Sequence, residues 1–132
     1  MVEDKKLIVY IEDDPEMINL VNLILGQRGF NFIGSISSRE GLDIIENNLP
    51  DLILLDLMMP DMDGWDVFQR LKANETTSHI PVIIVTAKSQ PIDQILGLSI
   101  AKVDDYISKP FHPQQLIDSV QKVLDNKRPS DL

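Results

Sequence analysis

An uninterrupted apolar run near the middle of the chain, residues 52–55, most constrains how this sequence can fold. A short run of Leu and Ile without alternating polar residues predicts a strand that is covered on both faces, as in a parallel sheet between helices. Asp56 follows the run directly, and Pro60 and Gly64 belong to the turn that comes next. We therefore expect the carboxylate of Asp56 at the carboxyl end of a buried strand, where open α/β sheets place their sites.

A second apolar run, residues 7–11, ends in the same way. Glu12, Asp13 and Asp14 follow it, and then Pro15. Asp14 is expected to cap a helix whose first residue is Pro15, because a proline loses no hydrogen bond at that position. If the two strands lie side by side and parallel, their acidic ends meet at one edge of the sheet.

Short apolar runs alternate with segments of helical period along the whole chain. Strands are predicted at residues 7–11, 30–35, 52–55, 82–86 and 105–108. Helices are predicted from Pro15 to a stop at Gly29, at 38–47 with Ser37 or Ser38 as cap, at 64–73, less regularly at about 91–100, and at 113–124. Five strands alternating with five helices predict an α/β fold, a parallel sheet with helices on both sides.

Length and composition fit one domain. With 132 residues, 43% of them hydrophobic, the chain can bury a single core without disulfides. We expect a domain over residues 1–132 with its core at about 7–124 and a frayed tail at 126–132. The absence of cysteine fits a reducing compartment. Residues 1–6 are too charged for a signal peptide, and no run is long enough for a membrane span, so we expect a cytoplasmic protein without a membrane partner.

The net charge of the chain is −9. A field of that sign repels phosphate backbones, so the sequence predicts no direct contact with nucleic acid. Proteins and cations are the expected partners.

Several acidic, hydroxyl and basic positions together resemble the receiver domain of two-component response regulators, like that of chemotaxis regulators. The family carries an acidic pair after its first strand, a phosphoaccepting Asp after the third, a Ser or Thr after the fourth and a Lys-Pro after the fifth. The matching residues here are Glu12 and Asp13, then Asp56, then Thr86 and Ala87, and finally Lys109 and Pro110 preceded by Asp104, Asp105 and Tyr106. The resemblance covers about residues 7–124. It implies the flavodoxin-like doubly wound (βα)5 fold, with five parallel strands in the order 2-1-3-4-5.

Carboxylates that converge at one sheet edge need a counter-charge. Each pair repels by roughly 4 kcal/mol at 4 Å and an effective dielectric constant near 20. A divalent cation relieves this repulsion, and Mg²⁺ suits oxygen ligands that also approach a phosphate. We assign Asp13, Asp56 and the backbone carbonyl of Met58 as ligands, with Glu12 bound through water.

The resemblance also implies the chemistry. Asp56 attacks the phosphorus of a phosphohistidine, donated by a sensor histidine kinase or a phosphotransfer protein, and forms an acyl phosphate. Lys109, the hydroxyl of Thr86 and the amide of Ala87 bind the phosphoryl oxygens. Thr86 and Tyr106 then move together and change a surface that binds a downstream protein. Such a chain is a signalling switch that catalyses its own phosphorylation and dephosphorylation, not a classical enzyme.

Other protein classes can be tested against the same residues. A flavin-binding flavodoxin needs a Ser/Thr/Gly phosphate loop where this chain has acids, and a metal-dependent phosphatase would usually have a second acid at the position of Met58. Tyr106 taken alone is more often a half-buried strand aromatic than a switch. The remaining alternative is a degenerate receiver that only binds proteins, but such a domain would lack Asp56 or Lys109.

The sequence departs from the family between Thr86 and Tyr106, where it is one residue longer and has no glycine at 99–103. Lys102 is expected in the left-handed conformation that glycine adopts freely, which shifts the end of the fourth helix. Helix five offers Lys122 and no arginine, and Lys lacks the bidentate fork that pairs with carboxylates. We therefore expect a monomer or weak dimer. Met58 and Lys88, which flank the path of water in this family, predict slow self-dephosphorylation.

Overall fold

The computed structural model describes residues 5–126 of the chain. The strands are β1 (Leu7–Ile11), β2 (Asn31–Ser35), β3 (Leu52–Leu55), β4 (Val82–Thr86) and β5 (Asp105–Ser108). The helices are α1 (Pro15–Gly26), α2 (Ser38–Asn48), α3 (Gly64–Ala73), α4 (Pro91–Ile95), which continues as a π-helix (Leu96–Ala101), and α5 (Pro113–Asn126). Asn126, where the frayed tail was predicted to begin, still belongs to α5, and residues 127–132 lie outside the described part.

The five strands form one parallel sheet in the order β2-β1-β3-β4-β5, which confirms the predicted fold. β1 lies between β2 and β3, and Ile11 pairs with Leu55. Every residue of β3 and β4 is buried, because helices cover both faces of the sheet. The sheet separates two apolar layers of the core. The pairing of Ile11 with Leu55 places the residues that follow β1 and β3 next to each other.

The helix ends agree with the sequence in part. Asp14 caps α1 and accepts a hydrogen bond from the Glu16 amide, with Pro15 as first helical residue, as predicted. The predicted stop of α1 at Gly29 is wrong, because the helix ends at Gly26. Gly29 takes its positive φ of 89° in the turn that follows, where i→i+3 hydrogen bonds replace the helical ones.

The fourth helix continues as a π-helix over Leu96–Ala101. The amide of Lys102 donates to the carbonyl of Gly97, five residues earlier, which is the π-helical spacing. Lys102 then adopts the left-handed conformation with φ of 62°, as the sequence predicted. Val103 also donates to the Gly97 carbonyl, at 2.9 Å, so this carbonyl closes the helix.

None of the helices within residues 5–126 has the length and apolar character that crossing a lipid bilayer requires.

Candidate functional site

Three carboxylates meet at the carboxyl ends of β1 and β3. Oxygen atoms of Glu12, Asp13 and Asp56 all lie within 4.8 Å of one another. Glu12 and Asp56 are 1% and 4% exposed, whereas Asp13 is open to solvent. The backbone holds the two buried acids together, because the Asp56 amide donates to the carbonyl of Ile11 at 3.1 Å. The sequence prediction that these acids converge is confirmed.

Lys109 supplies the positive charge of this cluster. Its Nζ lies 2.9 Å from Oδ2 of Asp56 and also binds Oε1 of Glu12. The Lys109 amide donates to the carbonyl of Thr86 at 2.9 Å, and the Lys109–Pro110 peptide bond is cis. Burial lowers the pKa of the Lys109 ammonium, but its hydrogen bonds to both carboxylates outweigh burial and raise the pKa above its usual value.

Tyr10 is a site residue that sequence reasoning missed. Its ring is fully buried, and its hydroxyl donates to Oε1 of Glu12 at 2.7 Å. The amide of Asp14 donates to the other carboxylate oxygen at 3.2 Å. Burial raises the pKa of Glu12, and the hydrogen bonds from Lys109 and Tyr10 oppose that rise. The signal was available, because Glu12 directly follows β1 and residues two apart in an extended chain point to the same side.

The chain after Asp56 turns back over the carboxylate. Oδ1 of Asp56 accepts a hydrogen bond from the amide of Met58 at 3.0 Å. The Met58 side chain is 59% exposed. With Asp13, Trp65 and Lys88 it lines an open groove of about 410 Å³ beside the cluster. Met58 and Lys88, which the sequence placed near the path of water, therefore share one groove at the site.

Thr86 and Tyr106 are joined through the backbone of Lys88. Oγ1 of buried Thr86 accepts a hydrogen bond from the Lys88 amide at 3.3 Å, and the Tyr106 hydroxyl donates to the Lys88 carbonyl. Tyr106 is 8% exposed, less than the half-buried position expected of it. Burial raises the pKa of Tyr106 to about 12, with smaller contributions from Asp93 and Asp56. Both predicted switch residues thus contact the same loop.

Asp61 is a second residue that sequence reasoning missed. Its carboxylate accepts hydrogen bonds from the hydroxyl of Ser37 at 3.0 Å and from the amides of Ser38 and Arg39 at 3.0 and 3.1 Å. Desolvation raises the pKa of Asp61, but these hydrogen bonds together outweigh it and lower the pKa to about 2. The loop that follows Asp56 is therefore fastened to the first turn of α2.

The charges of the cluster decide which ligands it can take. Three acids face one ammonium at short range, so the site favours a cation, and carboxylate oxygens are the ligands that Mg²⁺ prefers. The donor set therefore fits a hard divalent ion.

Curated relatives match most of this chain. It is 38% identical over 117 residues to the DNA-binding dual master transcriptional regulator RpaA of Synechocystis, covering 89% of this chain and 48% of that protein. It is 34% identical over 126 residues to the phosphate regulon transcriptional regulatory protein PhoB of Pseudomonas aeruginosa, covering 96% of this chain and 55% of that protein. The chain thus spans about half the length of these relatives.

These relatives correct the predicted partners. We expected a protein target, a monomer or weak dimer, and no nucleic acid, yet RpaA is named as a DNA-binding regulator. The expectation is wrong because the net charge of −9 belongs to a chain half as long as the relatives. The charge of that half does not exclude DNA as a partner of the longer proteins.

A solved structure and a family model agree with the fold and the motifs. The response regulator receiver domain protein (CheY-like) from Methanospirillum hungatei superposes with a TM-score of 0.84 at 29% identity, covering 94% of this chain and 97% of that one. The model of the response regulator receiver domain matches residues 8–121. The chain belongs to the receiver domain family of two-component response regulators.

Proposed function

We propose that this receiver domain is a phosphorylation-activated switch in which Asp56 accepts a phosphoryl group from a phosphohistidine. The observation that carries the proposal is the position of Asp56, which is 4% exposed within an acidic cluster and 2.9 Å from the Lys109 ammonium. A sensor histidine kinase or a phosphotransfer protein is the proposed donor. Relatives that are named transcriptional regulators support control of transcription as the process that the switch serves.

Mg²⁺ is the proposed cofactor. Asp13, Asp56 and the backbone carbonyl of Met58 would hold the ion, with Glu12 bound through water. Glu12 suits the indirect role because Tyr10, Lys109 and the Asp14 amide already occupy its oxygens. When bound, the ion supplies positive charge next to the phosphoryl oxygens.

The side chains divide the remaining work. The carboxylate of Asp56 attacks phosphorus and keeps the phosphoryl group as an acyl phosphate, while the donor histidine leaves. Lys109 is already in contact with Asp56 and would pair with an oxygen of the phosphoryl group that Asp56 receives. Thr86 contributes its hydroxyl and Ala87 its amide. The acceptor is part of the protein itself, so the domain promotes both its own phosphorylation and the hydrolysis of the acyl phosphate.

A degenerate receiver that serves only as a binding module is less well supported. In the structure Lys109 contacts both Glu12 and Asp56, so the residues that the reaction needs are present and adjacent.

Acetyl phosphate with Mg²⁺, followed by intact mass measurement, tests the proposal. We expect one phosphoryl adduct on the wild-type protein and none on Asp56→Asn. Asp51→Asn is the matched control. Asp51 precedes β3, the strand that Asp56 follows, and it accepts a hydrogen bond from the Leu7 amide at the opposite edge of the sheet. An equal adduct on Asp56→Asn would show that Asp56 is not the acceptor.

A further inference from the structure

The π-helix places a glycine against the ring of Tyr106. Gly97 is buried, and a Cβ atom at this position would lie 2.8 Å from Cδ2 and 3.1 Å from Cε2 of Tyr106. Real Cβ atoms essentially never approach another heavy atom to 2.8 Å. The same Cβ would lie 3.5 Å from Cη2 of Trp65, which is ordinary contact. Tyr106 can therefore occupy its buried position only because residue 97 has no side chain.

The backbone of Gly97 has little freedom to make room. Its carbonyl accepts hydrogen bonds from the amides of both Lys102 and Val103. Val103 is 5% exposed, and the Asp104 amide bonds the carbonyl of Val82 in β4 at 2.8 Å. The carbonyl that ends the π-helix is thus fixed to the start of β5, so a larger side chain at 97 would push the ring and leave the helix in place.

The position of the Tyr106 ring matters because its hydroxyl binds the loop that follows β4. Tyr106 donates to the carbonyl of Lys88, and the amide of Lys88 donates to Oγ1 of Thr86. One peptide unit on each side of Lys88 is therefore held, and Ala87 lies between Thr86 and Lys88. The loop with the two proposed phosphoryl-binding groups is fixed partly by the buried Tyr106.

We propose that Gly97 is a positioning residue for phosphorylation, which leaves the space that holds Tyr106 against the Lys88 carbonyl and so orders the loop of Thr86 and Ala87. The inference rests on the proposed phosphorylation of Asp56. The π-helix fixes Gly97 in this place, because the Gly97 carbonyl accepts a hydrogen bond from the amide of Lys102, five residues later.

Gly97→Ala tests the contact without any phosphorylation. Nitration of tyrosine by tetranitromethane, located by peptide mass, reports how accessible each ring is. Tyr106 should be nitrated at least about fivefold faster in Gly97→Ala, the factor that corresponds to losing one ordinary hydrogen bond. Tyr10, with 0% exposure, is the internal reference and should not change. An unchanged nitration rate of Tyr106 would overturn the proposal.

The rate of phosphorylation by acetyl phosphate and Mg²⁺ tests the consequence. Gly97→Ala should react about fivefold more slowly, while the matched control Gly26→Ala should react at the wild-type rate, because a Cβ at 26 meets only the Asn22 side chain at 3.9 Å. Gly97→Ser is a second variant, and its rate of phosphorylation should also be lower than that of the wild-type protein.

A double variant separates positioning from a change in helix stability. In a Tyr106→Ala background no ring remains to be displaced, so Gly97→Ala should have no further effect on the rate. An equal slowing by Gly97→Ala in both backgrounds would overturn the proposal, because alanine would then act through the helix alone. Absence of any adduct on the wild-type protein would instead refute the proposed function, and the nitration result would still decide the contact.

Discussion

Removal of one hydroxyl group, in Tyr10→Phe, should destabilise the domain measurably. The hydroxyl donates to Oε1 of Glu12 at 2.7 Å, where both side chains are almost completely buried. A hydrogen bond to a charged group contributes about 1.5–3 kcal/mol, and phenylalanine keeps the ring in its place in the core. Glu12 retains Lys109 and the Asp14 amide, so we expect a loss near the middle of this range, about 2 kcal/mol of unfolding free energy.

Urea unfolding followed by fluorescence measures this loss. Trp65 is the one tryptophan of the chain and lies on α3 beside the site. With a typical dependence of about 1–3 kcal/mol per molar urea, the midpoint should fall by about 1 M. Tyr106→Phe is the control, because its hydroxyl bonds an uncharged backbone carbonyl and should contribute only about 1 kcal/mol.

A double-mutant cycle identifies the partner. Tyr10→Phe should destabilise less in a Glu12→Gln background, where the acceptor is neutral. A loss below about 0.5 kcal/mol for Tyr10→Phe, or an equal loss in both backgrounds, would show that this buried hydrogen bond does not stabilise the fold in the way proposed.

Three further substitutions test other parts of the site. Asp13→Asn should weaken Mg²⁺ binding, measured by Trp65 fluorescence, and slow phosphorylation, yet raise the urea midpoint in metal-free buffer, because one of three repelling carboxylates is gone. Asp61→Ala should lower the unfolding free energy by about 1 kcal/mol at neutral pH, which is the usual cost of losing side-chain hydrogen bonds to the start of a helix. Since the folded pKa of Asp61 is lowered from 3.8 to about 2, its stabilisation is present above about pH 4 and is lost as the pH falls through about 2, which urea melts across this range would show. Met58→Asn combined with Lys88→Glu should shorten the lifetime of the acyl phosphate, followed by intact mass after the donor is removed, because both side chains line the groove beside Asp56.

For each of these three predictions, one result would contradict it. Tighter Mg²⁺ binding by Asp13→Asn would remove Asp13 from the ligand set. A difference between Asp61→Ala and wild type that is as large at pH 2 as at neutral pH would mean that the charge of Asp61 is not what stabilises α2. An unchanged decay rate in the Met58 and Lys88 variant would mean that the two side chains only face solvent.

The sheet could be predicted from the sequence because its strands are short apolar runs with acids or turn residues at their ends. Residues 52–55 and 82–86 can be buried on both faces only in the middle of a sheet, and the observed bounds of these two strands are those predicted. The convergence of Glu12, Asp13 and Asp56 followed from parallel pairing, since strands that run in one direction end at one edge.

Contacts between distant elements were harder to predict. The pattern of α4 was irregular, but neither the π-helical hydrogen bonding nor the contact of Gly97 with Tyr106 can be recognised from a local pattern, because both involve residues that meet only in the folded chain. Asp61 looks like a turn residue in sequence, and its role at α2 appears only when residues more than 20 positions apart meet. The hydrogen bond of Tyr10 to Glu12 was missed because a buried aromatic in an apolar strand suggests packing alone.

The position of the phosphoryl group on the chain tests the central claim most directly. Borohydride reduces an acyl phosphate and marks the modified aspartate, so peptide mass mapping after treatment with acetyl phosphate and Mg²⁺ locates it. We predict the mark at Asp56 alone, and its loss when Mg²⁺ is removed by a chelator. A mark at Asp13 or at another acid, or an equal mark at Asp56 without Mg²⁺, would contradict the account.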